Sequence, residues 1–375
     1  MKALYPRLNA LAMFWQLLCS PRSLIVGLCV SIGLVGCGGG SGIVNTPANT
    51  DIGQQNAKVW QIAKAMGPGI NFGGMFEAPN EGEWGLTFQP AYLNAAWGAG
   101  FRTLRLPVRW SNHASASYPY AIDEVFMARI ASVVDQALAR GFHVVLNMHL
   151  YHDLDGDARD PNEFAVDLQV LEPRFIAMWE QIAVRFANRS DKLLFELYNE
   201  PHGRLDAQTW NRLLDTTLKQ VRISNPARVV VLGGVSYNDA YQLGTLVLPN
   251  DPYLMATFHN YDPFTFTHQG AYWIAGDYPV GVTCCSAEQV EAIAVKTRHA
   301  AAWSSANGVP VFLGEFGAIK LADQASRVAY TRQVRSLAEA ANMPWAYWEF
   351  GAANFGVYDT ASQTFNTEML SALVR

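Results

Sequence analysis

Charge is scarce in this 375-residue chain: Asp, Glu, Lys and Arg make up 16% of it, and the net charge is −5. A disordered chain needs more charge and far fewer apolar residues than the 50% found here. The slight acidic balance offers no general electrostatic footprint for DNA or RNA, so no nucleic-acid partner is expected. Cysteine is scarce as well, with five residues in all, too few in any one stretch for a metal cage. No Gly-x-Gly-x-x-Gly follows a strand-like run, no phosphate loop is present, and no repeat of roughly 20–50 residues recurs. His149-x-x-His152 lacks the helical Glu of a zinc-protease motif, and Asp153-Leu154-Asp155-Gly156-Asp157 places its Gly wrongly for a calcium loop. No cofactor and no metal are therefore expected. Aromatic residues, by contrast, are plentiful, with 11 Trp and 15 Tyr. Their rings can fill a core or serve as platforms for sugar rings.

The amino terminus is organised for export. Lys2, Arg7 and Arg22 precede an apolar or small run at 24–36, which is too short to span a bilayer comfortably. The run ends in Leu34-Val35-Gly36-Cys37, which resembles the bacterial lipobox. Residues 1–36 thus read as a lipoprotein-type signal, with Met13 an alternative start, and Cys37 as the lipidated first mature residue. Gly38-Gly39-Gly40-Ser41-Gly42 opens a flexible tether over 37–55. The expected location is the outer membrane, through that lipid anchor, or the extracellular or periplasmic space. An ordinary signal peptide or a retained membrane anchor is the alternative. Only Cys284 and Cys285 then remain in the folded part, as a vicinal disulfide or as two thiols.

Residues 56–375 alternate strand and helix patterns. Strands are predicted at 69–74, 102–108, 143–150, 193–199, 229–233, 254–260, 309–315 and 345–350. Helical spacing of apolar residues spans 123–140, 172–188, 207–224, 287–307 and 322–341. Gly100, Gly141 and Gly308 stand where left-handed helix caps are wanted. Strands alternating with helices imply parallel pairing, and eight such units predict one (β/α)8 TIM barrel. A doubly wound open sheet is the alternative.

In such a barrel the active site lies at the carboxyl ends of the strands. Those ends carry Arg105, His149, Asn199-Glu200, His259 with Tyr261, Glu315 and Trp348. A strand-end Glu is often merely solvated, and a lone His is often a satisfied core residue; the joint placement is what points to a site. Paired carboxylates such as Glu200 and Glu315 suit cleavage of a glycosidic bond: one stays protonated to give a proton to the leaving oxygen, the other is ionised.

Six segments in order, Leu104-Arg105-Leu106-Pro107, Asn147-Met148-His149, Asn199-Glu200-Pro201, Phe258-His259-Asn260-Tyr261, Gly314-Glu315-Phe316-Gly317 and Trp345-Ala346-Tyr347-Trp348-Glu349-Phe350, resemble glycoside hydrolase family 5. Glu77-Ala78-Pro79-Asn80-Glu81-Gly82 and the stretch from Tyr261 to Ala271 look similar to its bacterial endoglucanase-like members. The resemblance implies that Glu200 is the general acid/base and Glu315 the nucleophile of a retaining mechanism. It implies that Asn199 binds the sugar 2-hydroxyl, that Arg105 and Tyr261 donate to Glu315, and that His149 and His259 bind hydroxyls and position the catalytic groups. Trp348 forms the floor under the sugar. Alternation turns Glu349 away from that face, towards a structural role. His152, Asn112 and His113 are candidates for substrate contact; Trp84, Trp110 and Trp273 serve as cleft platforms or as packing.

The implied activity is hydrolysis of a β-1,4-glucan by a monomer. The same chemistry on β-mannan, xyloglucan or another β-glucan stays open, since specificity lies in loop contacts. So does a different class, a glycan-binding surface lipoprotein without catalysis.

Overall fold

The computed structural model describes residues 50–156, 166–352 and 354–374. The signal, Cys37 and the first part of the expected tether lie outside them. Among the described residues, no helix is long and apolar enough to cross a membrane.

Eight parallel strands close a barrel in sequence order. They are β1 (Pro68–Asn71), β2 (Thr103–Leu106), β3 (His143–Asn147), β4 (Leu193–Glu196), β5 (Val230–Gly233), β6 (Leu254–His259), β7 (Val311–Glu315) and β8 (Trp345–Tyr347). Closure is made by β1 beside β8, with Gly69 opposite Ala346. Gly69 is needed there, because a Cβ would stand 2.3 Å from the carbonyl oxygen of Trp345. Every residue of β2, β3, β4, β5, β6 and β7 is buried, as expected of parallel strands covered on both faces.

The expected helices appear at Glu124–Arg140, Leu168–Phe186, Ala207–Ser224, Ala287–Asn307 and Gln324–Ala340. The second starts four residues earlier than the apolar spacing suggested, because Asp167 caps it by accepting from the Gln169 amide, and Pro173 falls inside. Asp206, Ser286 and Asp323 cap three others in the same way. Gly100 and Gly141 end helices with φ of 108° and 106°. Pro90–Ala99 completes the crossover from β1 to β2, while β5 and β6 are joined by a short 3₁₀ helix, Ala240–Thr245.

The predicted tether ends differently from expectation: a helix begins at Thr50 and runs to Ala65. Its Val59, Ile62, Ala63 and Met66, just beyond it, pack against Val145, Leu194, Val231, Met255, Phe312 and Ala346 from inside the barrel. This apolar plug closes the amino-terminal end of the strands. The indole of Trp60 and the amide of Asn56 both donate to the Gly308 carbonyl, at 3.2 and 2.9 Å. Cys284 and Cys285 form a disulfide with each other, the first of the two forms left open by the sequence.

Candidate active site

Polar side chains end six staves: Asn71, Asn147, Glu196, His259 and Glu315 are the last residues of β1, β3, β4, β6 and β7, and Arg105 is next to last in β2. The staves are shorter than predicted. His149, Asn199 and Trp348 therefore lie in the loops just past the strand ends rather than on the strands, and Glu200 and Tyr261 lie past the ends, as expected. Those loops keep ladder-like bonds: His149 N donates to Val108 O (2.8 Å), Asn199 N to Met148 O (2.9 Å) and Trp348 N to Phe316 O (2.8 Å). Glu200 takes a φ of 53°, a left-handed conformation that a non-glycine residue holds at a cost of about 1–3 kcal/mol.

Arg105 organises the pole. It is fully buried and binds both oxygens of Glu196, with Nε and Nη2 each at 2.7 Å. Its Nη1 reaches Asn71 Oδ1 (2.9 Å) and Glu315 Oε1 (2.5 Å), and Nη2 also reaches Asn199 Oδ1 (2.7 Å). Burial pulls its pKa down, but Glu196 and then Glu315 more than offset this, so the guanidinium stays charged. Asn71 is held in turn by the carbonyls of Gly314 and Tyr347, at 3.0 and 3.2 Å. Glu315 is thereby fixed on one oxygen by Arg105 and on the other by the Tyr261 hydroxyl, at 2.9 Å. Burial holds the Tyr261 phenol well above its ordinary pKa, so it stays a donor.

Glu200 has a different shell. Its Oε1 meets Nδ1 of His259 at 2.6 Å, and Arg105 does not touch it. Burial pushes its pKa to about 7, against the opposing effects of His202 and Arg105. Burial raises Glu315 too, opposed by His259, Arg105 and the Tyr261 hydroxyl. The direct cation and phenol contacts make Glu315 the carboxyl better held as an anion, and Glu200 the one better held as an acid. Oxygens of the two carboxyls lie within 4.8 Å of each other. Both histidines are neutral: burial lowers His259 to about 4 and His149 well below its usual value. Among the described residues, Glu200, His259 and Glu315 are also the group whose donor atoms are close enough to hold an ion. The hydrogen bond of His259 to Glu200 and the unlike shells of the two carboxyls read instead as acid–base chemistry.

The His149 and Trp348 rings are nearly parallel, at 11° with centroids 5.7 Å apart. Half-buried Trp348, Tyr261 and Trp273 pack around Ala271, Ile319 and Phe355 at the mouth. Trp273 thus belongs to this aromatic wall, whereas Trp110 is fully buried with its indole on the Asn147 carbonyl. Trp84 is 46% exposed, beneath the Arg109 guanidinium. His113 stacks on Phe126 at 3.6 Å, a packing role. Asp155, from the loop that faintly suggested calcium, accepts from the Tyr198 hydroxyl at 2.6 Å.

Glu196 and Asn71 have no motif around them in the sequence, whereas Glu349 takes the structural place expected of it. Glu196 sits inside a strand-like run, and its only signal was a charge among Leu-Leu-Phe. Glu77 and Glu349 are buried carboxyls behind the Trp348 floor. Glu77 accepts from the amides of Gly74 and Met75, and Glu349 lies so near Gly73 that a Cβ there would meet its Oε2 at 2.8 Å. Burial raises them to about 7 and about 8.

A barrel with two carboxyls at this spacing, one bound to a cation and one not, has the layout of a retaining glycosidase. The model of the cellulase family (glycosyl hydrolase family 5) matches residues 64–354, and the chain belongs to that family. Endoglucanase H of Acetivibrio thermocellus is 36% identical over 319 residues, covering 84% of this chain and 33% of its own length. This chain thus spans about a third of that relative. Cel5A of Thermotoga maritima, solved in complex with cellobiose, shares 37% identity and a TM-score of 0.78 over 84% of this chain and 99% of its own. The same enzyme solved with mannotriose gives the same figures.

Proposed function

We propose that this chain is a retaining endo-β-1,4-glucanase. The observation that carries the reading is the split between two carboxyls within 4.8 Å: Glu315 is clamped by Arg105 and Tyr261, while Glu200 is left with neutral His259. In the first step Glu315 attacks the anomeric carbon as Glu200 gives its proton to the departing glycosidic oxygen. In the second, Glu200, now ionised, takes a proton from water, which displaces Glu315. Asn199, oriented by Arg105, meets the 2-hydroxyl. Trp348 stacks under the apolar face of the sugar, and His149 faces its hydroxyls. The endoglucanase name of the relative and the cellobiose complex of Cel5A support a β-1,4-glucan substrate.

The mannotriose complex of Cel5A favours β-mannan as a second reading. A panel of purified polysaccharides with product sizing separates the two. Cleavage of mannan with carboxymethylcellulose left intact overturns the glucanase reading; binding of glucan without release of sugar overturns catalysis altogether. The lipobox-like run before Cys37 and the disulfide in the folded part support an exported, lipid-anchored protein. Replacing Cys37 with Ser is then expected to move activity from the membrane fraction to the soluble one.

A further inference from the structure

Three consecutive non-glycine residues after β5, Ser236, Tyr237 and Asn238, have φ of 56°, 63° and 55°. Each such residue is disfavoured by about 1–2 kcal/mol, so the excursion needs a reason. It delivers the Asn238 side chain, fully buried, to Nε2 of His259 at 3.4 Å. Gly233 makes the space, since a Cβ there would stand 1.9 Å from Asn238 Oδ1. The next residue, Asp239, bridges to His259 through the backbone. Its carboxylate pairs with Lys296, which also holds Asp262 at 3.0 Å. Among the described residues, the Asn238 oxygen has no hydrogen-bond partner. An amide buried with one end unsatisfied is a costly choice for packing alone.

We infer that Asn238 is a positioning residue that locks His259 in the tautomer carrying its proton on Nδ1. A neutral imidazole has one N–H and one lone pair. With the Asn238 amide N–H directed at Nε2, the lone pair is there and the N–H lies on Nδ1. That N–H faces Glu200 Oε1 at 2.6 Å, with Glu315 Oε2 at 3.7 Å. Arg105 and Glu196 are the other charges acting on the ring. The tautomer decides where the acid's proton goes. With Nδ1–H donating to Oε1, the proton of Glu200 must sit on Oε2, free for the leaving oxygen. With the proton on Nε2 instead, the bare Nδ1 would accept the proton of Glu200, and the acid would point at the histidine. The functional part of this inference rests on Glu200 being the general acid; the tautomer does not.

Nitrogen-15 NMR of histidine-labelled wild-type enzyme, with His259 assigned by substitution, reads the tautomer directly and needs no Asn238 variant. A spectrum with the proton on Nδ1 is expected; one with it on Nε2 overturns the inference. Asn238→Gly tolerates the φ and removes the amide, and Asn238→Asp offers only acceptors to Nε2. For both, kcat on cello-oligosaccharides is expected to fall about 10–100-fold, with KM nearly unchanged. On an aryl cellobioside, whose leaving group needs no proton, the loss should stay within about threefold. Equal losses on both substrates would mean a merely structural role and overturn the positioning role. A wild type with the Nδ1–H signal but no action on β-glucan would instead overturn the proposed function and uphold the tautomer.

Discussion

The two ends of this barrel are built from the same strands and obey opposite rules. At the amino-terminal end, Val59, Ile62, Ala63 and Met66 meet Val145, Leu194, Val231, Met255, Phe312 and Ala346. The side chains that meet there are all apolar, and the larger ones stabilise by about 1.5–3 kcal/mol each on burial. At the carboxyl end the strands bury Arg105, Glu196, Glu315, Asn71 and Asn147. Desolvating such groups costs several kcal/mol per charge and is recovered only by dense mutual bonding. A left-handed Glu200 adds to that cost. The amino-terminal pole therefore adds to the larger apolar core formed by strands and helices, while the chemistry sits at the other pole.

Substitutions at the two poles should separate along that line. The largest effect is expected of Glu315→Gln, which removes the nucleophile while keeping shape: turnover should drop by roughly 10⁴–10⁶-fold with glucan binding retained. Surviving activity would mean the nucleophile lies elsewhere. Glu200→Gln should cost about 10²–10⁴-fold on unactivated glucan and far less on an aryl cellobioside. The acid form of Glu200 does the work in the first step, and that form is lost as pH rises through about 7. The wild-type kcat/KM should then fall about tenfold per pH unit above that value, and the limb should vanish in Glu200→Gln. Glu196→Ala leaves Arg105 short of its bidentate partner in a fully buried site. A stability loss of about 3–5 kcal/mol follows, read by denaturant titration together with an activity loss. At the other pole, Met66→Ala should cost about 2–5 kcal/mol of stability and leave KM unmoved; a changed KM would break the separation.

Legibility in the sequence divides along the same axis. All eight strands were readable as apolar runs, and the barrel followed from their alternation with helices. Their carboxyl ends were not, because Met148, Leu197 and Tyr198 continue the apolar run after the ladder has stopped. Of the site, the eight residues with a motif around them were legible. Glu196 was not: parallel strands are buried on both faces, so alternation cannot tell an inward charge from an outward one. Asn238 was hidden for another reason, since its position depends on three left-handed residues that no periodicity reports. The plug helix was half visible. Val59, Ile62, Ala63 and Met66 have helical spacing, but the polar residues before them read as tether.

The smallest effect should come from the same kind of ion pair placed outside both poles. Arg298 binds both oxygens of Glu291 through its two Nη atoms, a two-point contact like that of Arg105 on Glu196. The Arg298 and Glu291 side chains are 57% and 65% exposed, whereas those of Arg105 and Glu196 are fully buried. In water the charges are already solvated and screened, so forming the pair gains little and losing it exposes no stranded charge. Arg298→Ala should therefore shift stability by less than about 1 kcal/mol, with no change in kcat. Added salt should shrink even that difference, while the penalty of Glu196→Ala should hardly respond. If the two pairs cost the same to break, the dense packing around Arg105, rather than its isolation from water, would have to explain why the carboxyl pole is sensitive.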